Sequence, residues 1–195
     1  MHRHHFTNKF PSDMYNSISL PDKAWGIDLF AVTVQNEPEF PAPWEACAYK
    51  PSIQADFIAN HLGPTLERDH PDVKLFIFDH NKDHAVNWGT TILDENNPAS
   101  KYVDGTTVHW YAGGMDRNLD GAVGMANMHR FAELLKQLHV KDDHLFLGSE
   151  ACHCPSTGYA GGELKVAWGR AERYAHTILA DLAAGSNGWV EWNLL

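Results

Sequence analysis

The stretch Thr33-Val34-Gln35-Asn36-Glu37-Pro38-Glu39 directly follows a short, mainly apolar run, Ile27-Asp28-Leu29-Phe30-Ala31-Val32. A run of this length is typical of a buried strand, and Pro38 ends it because proline has no N–H to donate to a sheet ladder. Asn36 and Glu37 are therefore predicted to lie where a core strand meets a loop. In a barrel of alternating strands and helices, this end of the strands carries the catalytic residues.

A second carboxylate occupies an equivalent position far downstream. The segment His144-Leu145-Phe146-Leu147-Gly148-Ser149-Glu150-Ala151 is another short apolar run that ends in a glutamate. Two carboxylic acids at two strand ends are the minimum that glycoside hydrolysis requires. The pattern therefore predicts that Glu37 and Glu150 face each other across one cleft.

Strand candidates recur along the chain and end at Glu37, His80, His109, Glu150 and Trp192. Their spacing of about 30 to 40 residues suits strand–helix units, which take about 30 residues each in an eightfold barrel. Strands that alternate with helices imply a parallel sheet. Five strands predict an α/β fold that is an incomplete (β/α)8 barrel.

Helical patterns fill three of the intervals. The predicted helices are Ile53–Leu66, with Ser52 as its N-cap, Met125–Leu138, and Trp168–Ala184, with Gly185 at its C-terminal end. Pro64 is expected to kink or split the first of them, because proline cannot continue the helical hydrogen bonds. Their apolar stripes are interpreted as core packing.

Composition excludes several classes of function. The 195 residues suffice for one domain with a core, and a formal net charge of −10 argues against nucleic acid as a partner. No run approaches the roughly 20 apolar residues of a membrane span, and the N-terminus lacks the apolar core of a signal peptide. Residues 1–20 are polar and rich in histidine, and we interpret them as an irregular arm or as sequence from a misplaced start. Residues 21–195 are predicted to form the catalytic domain.

The three cysteines are too few for a disulfide framework. Cys152-His153-Cys154 together with Cys47 could suggest zinc, but the spacing does not suit a structural zinc site. Free or partly buried thiols are the preferred interpretation, and neither a metal nor a cofactor is predicted.

Every strand candidate ends in side chains suited to sugars. Carboxylates can perform acid–base chemistry, Asn and His can bond hydroxyls, and Trp and Tyr offer flat apolar faces to a pyranose ring. Any one of these ends is weak evidence, but together they predict a carbohydrate site on one face of the sheet. The ends are Asn36-Glu37, Asp79-His80-Asn81, His109-Trp110-Tyr111, Glu150 and Trp192-Asn193.

From about Trp25 to Leu195 the chain resembles the glucosylceramidase group of glycoside hydrolase family 30. The motifs that carry the resemblance occur in the family's order. They are Val32-Thr33-Val34-Gln35-Asn36-Glu37-Pro38-Glu39, Pro43-Trp44-Glu45-Ala46-Cys47, His61-Leu62-Gly63-Pro64-Thr65-Leu66, Asp79-His80-Asn81-Lys82-Asp83, Val108-His109-Trp110-Tyr111, Ser149-Glu150-Ala151-Cys152, Arg173-Tyr174-Ala175-His176 and Trp189-Val190-Glu191-Trp192-Asn193-Leu194.

The resemblance implies a (β/α)8 barrel with an attached β-sandwich, of which this chain carries roughly barrel strands 4 to 8 with their helices. It implies retaining hydrolysis of β-glucosides, typically glucosylceramide, in a lysosomal or secreted protein. Glu37 would be the general acid/base and Glu150 the nucleophile. The residues implied to hold or line the sugar site are Asn36, His109, Tyr111 and Trp192.

Two further expectations accompany this assignment. The charge of Glu150 is expected to raise the pKa of Glu37, which must start protonated. The loop with Pro38, Pro41 and Pro43 carries aromatic residues that could contact a lipid tail, although packing on the barrel rim is preferred.

The early barrel strands and the β-sandwich are expected from a longer chain. The alternative to a glucosylceramidase-type enzyme is a truncated remnant that binds sugar or a partner without turnover.

Overall fold

The computed structural model describes residues 28–43, 46–111, 123–138, 140, 143–153 and 164–192. Within them, five strands form one sheet whose spatial order is the chain order, and every neighbouring pair is parallel. Sequential parallel strands joined by helices confirm the predicted α/β class. The strands are β1 Ala31–Thr33, β2 Lys74–Asn81, β3 Gly105–His109, β4 Leu145–Glu150 and β5 Gly188–Trp189.

The helices occupy every interval between the strands. They are α1 Pro51–Phe57, α2 Gly63–Asp69, α3 Ala85–Ile92, α4 Val123–Gln137 and α5 Leu164–Ala183. The prediction of Gly185 near the end of α5 is confirmed, since this residue has a φ of 102°. Glycine adopts that left-handed conformation without the clash that a Cβ would cause.

The first predicted helix differs from the structure in its start and its continuity. Lys50 is the N-cap, and Pro51 rather than Ser52 opens the helix, because the fixed φ and missing N–H of proline suit the first turn. The predicted disruption by Pro64 is confirmed. A π-helical segment, Ile58–Leu62, separates α1 from α2, in which Pro64 is the second residue.

Helix α3 was not predicted from the sequence. Its buried residues are Ala85, Trp88, Gly89 and Ile92, which are spaced as one face of a helix. The helix is short and carries polar residues between them, so the pattern has few repeats. Trp88 contacts Phe78 of β2, with 5.4 Å between the ring centroids, and this contact seats α3 on the sheet.

Strand β2 is longer than the predicted segment Leu75–Phe78, and it contains an irregularity that shapes the site. Its register against β3 shifts between Phe78 and His80, so Asp79 is an extra residue in the ladder. Phe78 and Asp79 have φ angles of 76° and 58°, which are rare for residues other than glycine. Such bulges redirect side chains and often lie next to active sites.

Some sequence-based expectations concern residues outside the described ranges. They include the arm at residues 1–20, Ile27, Trp44, Glu45, Cys154 and residues 193–195. Among the helices that the structure describes, none combines the length and apolar character needed to cross a bilayer.

Candidate active site

His109 lies between the two predicted catalytic carboxylates. It ends β3, and its side chain is only 1% exposed. Its Nδ1 is 3.3 Å from Oε1 of Glu37, and its Nε2 is 3.9 Å from Oε2 of Glu150. The sheet register explains this proximity, because His109 pairs with Glu150 of the neighbouring strand β4. The structure thus brings the two glutamates to opposite edges of one imidazole ring.

Glu37 follows β1 in a constrained turn. Its φ is 47°, in the left-handed region that a side chain with a Cβ adopts reluctantly. Its backbone N–H donates a hydrogen bond of 2.9 Å to the carbonyl of Asp79, and the next residue, Pro38, accepts one of 2.8 Å from the N–H of Tyr49. These two bonds fix the loop on both sides of the acid/base candidate.

Glu150 is also bound through its other carboxylate oxygen, Oε1. The hydroxyl of Tyr111 donates a hydrogen bond of 3.1 Å to its Oε1. The same hydroxyl lies 3.3 Å from Sγ of the buried Cys152. Tyr111 is itself positioned by its backbone N–H, which donates to Oδ1 of Asn81 at 3.0 Å. Tyr111, predicted as a sugar-site residue, therefore directly contacts the nucleophile candidate.

Asp79 is a component of this site that sequence reasoning did not select, although the motif Asp79-His80-Asn81 was noticed as a polar strand end. Its carboxylate is buried and accepts four side-chain hydrogen bonds. Thr33 donates to Oδ2 at 2.7 Å. Oδ1 accepts from Thr107 at 3.1 Å, from Ser149 at 2.6 Å and from Nε2 of His109 at 3.1 Å. Strands β1, β3 and β4 thus all bind this one carboxylate.

A second group of ionisable side chains lies beside Glu37, toward the solvent. Glu39 accepts a hydrogen bond of 2.7 Å from the indole N–H of Trp88 and also bonds Nδ1 of His84. Nε2 of His80 lies 3.9 Å from Oε2 of Glu39. The side chains of Glu39 and His84 tie the loop after β1 to the start of α3.

The remaining two predicted site residues are at the rim. The side chain of Asn36 is exposed, and its carbonyl accepts a bond from the side chain of Gln35. Trp192 is 60% exposed, but its backbone N–H donates to the carbonyl of Ala151 at 2.7 Å, next to Glu150. The backbone of Trp192 is therefore bonded to the residue that follows Glu150, whereas the bond of Asn36 is to the neighbouring Gln35.

The electrostatics of the cluster centre on His109. Burial disfavours its charged form, yet hydrogen bonds to Asp79 and Glu37, with the nearby charge of Glu150, raise its pKa to about 9. Asp79 is deeply buried, but the bonds from His109, Ser149 and Thr33 lower its pKa. The ring is consequently an imidazolium at neutral pH, with a proton on each nitrogen.

The pKa shifts of the two glutamates are the reverse of the expected proton preference. The bond from His109 lowers the pKa of Glu37, although the sequence-based argument predicted a rise. The pKa of Glu150 is raised, mainly by burial and further by the charges of Glu37 and Asp79. The charge of Glu150 alone was expected to raise the pKa of Glu37, but the hydrogen bond from His109 is the largest influence on that carboxyl.

Three groups near the site could in principle ligate a metal ion. Ligand atoms of Glu37, His80 and His109 all lie within 4.8 Å of one another. Both ring nitrogens of His109 are already engaged by carboxylates, so hydrogen bonding accounts for this arrangement. Cys47 is exposed, and Cys152 is buried with its Sγ 3.3 Å from the hydroxyl of Tyr111.

The family model described as "Glycosyl hydrolase family 30 TIM-barrel domain" matches residues 21–195. The chain belongs to glycosyl hydrolase family 30. It is similar to lysosomal acid glucosylceramidase of Mus musculus, with 31% identity over 87% of this chain and 31% of that protein. It is also similar to endo-1,6-beta-D-glucanase neg1 of Aspergillus fumigatus, with 27% identity over 86% of this chain and 29% of that protein. The match to the glucosylceramidase, and not the match to the glucanase, supports the predicted glucosylceramidase group within family 30.

The solved structure of SrfJ from Salmonella typhimurium shares the fold of this family-30 chain. The TM-score is 0.76 at 24% identity, and the match covers 95% of this chain and 38% of that one. Together with the match to the TIM-barrel family model, this likeness shows that the five-stranded sheet is part of a TIM barrel, as predicted. The chain spans about a third of the length of the relatives it matches.

Proposed function

We propose that this chain carries the catalytic face of a retaining β-glycosidase, with Glu150 as nucleophile and Glu37 as general acid/base. The observation that carries the proposal is that both glutamates reach the same imidazolium, His109, from the ends of β1 and β4. A retaining mechanism needs two carboxyl groups close together, about 5–5.5 Å apart. A shared imidazolium between them supports that proximity.

The proposed reaction proceeds in two displacements. In the first, a carboxylate oxygen of Glu150 bonds to the anomeric carbon while Glu37 transfers a proton to the departing glycosidic oxygen. In the second, Glu37, now ionised, removes a proton from water, and the water oxygen replaces Glu150 on the anomeric carbon. Tyr111 holds Oε1 of Glu150 and leaves Oε2 for bonding to carbon.

The reaction needs the proton on Glu37 and the charge on Glu150, whereas the pKa shifts favour the reverse in the unliganded site. Two interacting carboxyls titrate as a pair, and a ligand changes the distribution by the differential interactions it makes. A glycosidic oxygen that accepts a hydrogen bond from Glu37 stabilises the protonated form of that residue. Positive charge developing at the anomeric carbon stabilises the ionised form of Glu150.

The glycone that we propose is β-glucose, and the proposed natural substrate is glucosylceramide or a related β-glucoside. The similarity to lysosomal acid glucosylceramidase supports a lipid aglycone, and the similarity to an endo-1,6-beta-D-glucanase supports a second sugar. The rates at which the complete protein hydrolyses glucosylceramide and a 1,6-linked β-glucan distinguish these two aglycones.

Contact with a lipid surface belongs to the same proposal. Phe40, in the loop after Glu37, is 43% exposed and could meet an acyl chain. Tyr49 instead packs on Phe57 of α1, at 6.2 Å between ring centroids, as the preferred interpretation of rim packing predicts. The described aromatic residues of this segment therefore divide between the two roles.

Covalent trapping tests the proposed function. A 2-deoxy-2-fluoro-β-glucoside with a good leaving group slows the second displacement, because its fluorine destabilises the positively charged transition state. We expect the complete protein to accumulate a glycosyl adduct on the peptide that contains Glu150. Binding of glucosides without any adduct would instead support the alternative of a sugar-binding chain without turnover.

A further inference from the structure

The carboxylate of Asp79 accepts four side-chain hydrogen bonds, more than any other described side chain in the site. It is 7% exposed and accepts hydrogen bonds from side chains of three other strands. A buried carboxylate is costly unless it is fully bonded, and this one is. Its placement is therefore specific and not a by-product of packing.

Backbone strain accompanies this placement. Phe78 and Asp79 both have positive φ angles, at the point where the ladder between β2 and β3 shifts register. Two consecutive residues of this kind are strained, so the surroundings must hold them in place. In this conformation, the carbonyl of Asp79 accepts a hydrogen bond of 2.9 Å from the backbone N–H of Glu37. Asp79 thus contacts the acid/base candidate through its backbone and His109 through its side chain.

We propose that Asp79 is a positioning residue for the acid/base: its Oδ1 fixes the ring of His109 so that the Nδ1–H of that ring is donated to Glu37. This inference rests on the proposed function for the role of Glu37. Its structural part concerns only the three residues and holds or fails independently of turnover. The same logic appears in other enzymes, in which a carboxylate orients an imidazole and stabilises its charged form.

The proposal explains how two catalytic carboxylates coexist with a third buried carboxylate. Without His109 in its charged form, three negative groups would face one another in a partly dry site. With it, the negative charge of Asp79 is balanced by the positive charge of the imidazolium, and Glu37 and Glu150 share one proton. The other ionisable groups that face the ring are Glu37 after β1, His80 on β2, Tyr111 after β3 and Glu150 on β4.

The direct test is a pH titration of His109 in the unmodified protein. The ¹⁵N chemical shifts of selectively labelled histidines report the protonation of each ring nitrogen. A His109→Gln variant identifies the signals. We expect both ring nitrogens to remain protonated at neutral pH, with a midpoint near the pKa of about 9. A midpoint at the ordinary value of 6.5 for histidine would overturn the proposal without any variant of Asp79.

Asp79→Asn provides the second test, with Thr33→Val as its matched control. Thr33 bonds the other oxygen, Oδ2, so its loss disturbs the same carboxylate but leaves the contact between Oδ1 and His109. We expect Asp79→Asn to lower the His109 midpoint and to reduce kcat by about 10²-fold, as misplacement of a catalytic group does. Thr33→Val should leave the midpoint unchanged, even if it destabilises the fold. Equal midpoints in both variants would contradict a specific role for Asp79.

The outcomes separate this inference from the proposed function. A trapped adduct on Glu150 together with a His109 midpoint at the ordinary value would reject the positioning role of Asp79 and support the glycosidase function. The expected titration without any trapped adduct would keep the Asp79–His109–Glu37 arrangement and reject the glycosidase.

Discussion

Lys82 and Asp181 form a buried ion pair, with 2.9 Å between Nζ and Oδ1, although they are 99 residues apart in the chain. Their side chains are 2% and 1% exposed. The pair joins the segment that follows β2 to helix α5. Burial raises the pKa of Asp181, and the charge of Lys82 opposes that rise.

Removing one partner of this pair should be costly, because the other charge is then buried without compensation. We expect Lys82→Met to lower the free energy of unfolding by about 3–5 kcal/mol. Urea denaturation monitored by tryptophan fluorescence measures this change. The control is the double variant Lys82→Met/Asp181→Leu, which removes both charges and should recover most of the loss. A single variant as stable as the unmodified protein would show that the pair is not desolvated in solution.

The ion pair between Glu39 and His84 predicts a pH-dependent contribution to stability. The bond to Glu39 raises the pKa of His84 above 6.5, so the contribution of His84 is complete below 6.5 and lost as the pH rises through the raised value. Partial burial opposes the charge of Glu39, but bonds from Trp88 and His84 lower its pKa below 4.5. The contribution of Glu39 is therefore lost only in stronger acid.

Both groups contribute fully between about pH 4.5 and pH 6.5. We expect the difference in melting temperature between the unmodified protein and His84→Asn to be larger near about pH 5.5 than near about pH 8.5. Glu39→Gln should lower the melting temperature with the same pH dependence. The double variant His84→Asn/Glu39→Gln should lose no more stability than either single variant, because both remove the same ion pair. A difference that grows toward alkaline pH would contradict the assignment.

Gly89 of α3 predicts an unusual response to alanine. A Cβ at this position would lie 2.6 Å from Cε2 of Phe131, which is fully buried, so the ring or the helix would have to shift. The expected loss on Gly89→Ala is about 1–3 kcal/mol from overpacking, less up to about 1 kcal/mol gained in helix propensity.

Gly169 of α5 is the matched control. A Cβ there meets nothing within 4 Å, so Gly169→Ala should stabilise the protein by about 0.5–1 kcal/mol. Denaturant titration of both variants measures the two free energies of unfolding. A stabilising Gly89→Ala would mean that α3 does not pack on α4 as closely as described.

Much of this fold could be predicted from the sequence because its signals are local. Apolar runs that end in polar residues located the strands, and the end of β4 at Glu150 agrees with the structure. The alternation with helices then predicted a parallel sheet. The helix that was missed, α3, is too short for periodicity to stand out, although Trp88 and Ile92 have the spacing of one helix face.

The interior of the site could not be predicted in the same way. The role of Asp79 depends on a bulge and on positive φ angles at Phe78 and Asp79. No local residue pattern predicts these features. The lowered pKa of Glu37 depends on the protonation of His109, which in turn depends on a carboxylate from another strand. The role of Asp79 and the lowered pKa of Glu37 therefore both depend on hydrogen bonds between residues that are far apart in the sequence.

The central claim is the pair of roles given to Glu37 and Glu150, and azide tests it most directly. In the complete protein, Glu150→Ala should lose turnover because no nucleophile forms the glycosyl-enzyme. Azide should then attack from the vacated face and yield an α-glycosyl azide. Glu37→Ala should retain its first step on substrates with good leaving groups, which need little protonation, and lose about 10²–10⁴-fold on poor ones.

Azide should attack the covalent intermediate of Glu37→Ala without help from a base and yield the β-glycosyl azide. Glu39→Ala is the matched control, since it removes a carboxylate two residues away that bonds Trp88 and His84. It should give no glycosyl azide. The measurement is the anomeric configuration of the azide products by proton NMR. An α product from Glu150→Ala and a β product from Glu37→Ala are the predicted result, and the opposite pair of products would contradict the assignment of roles.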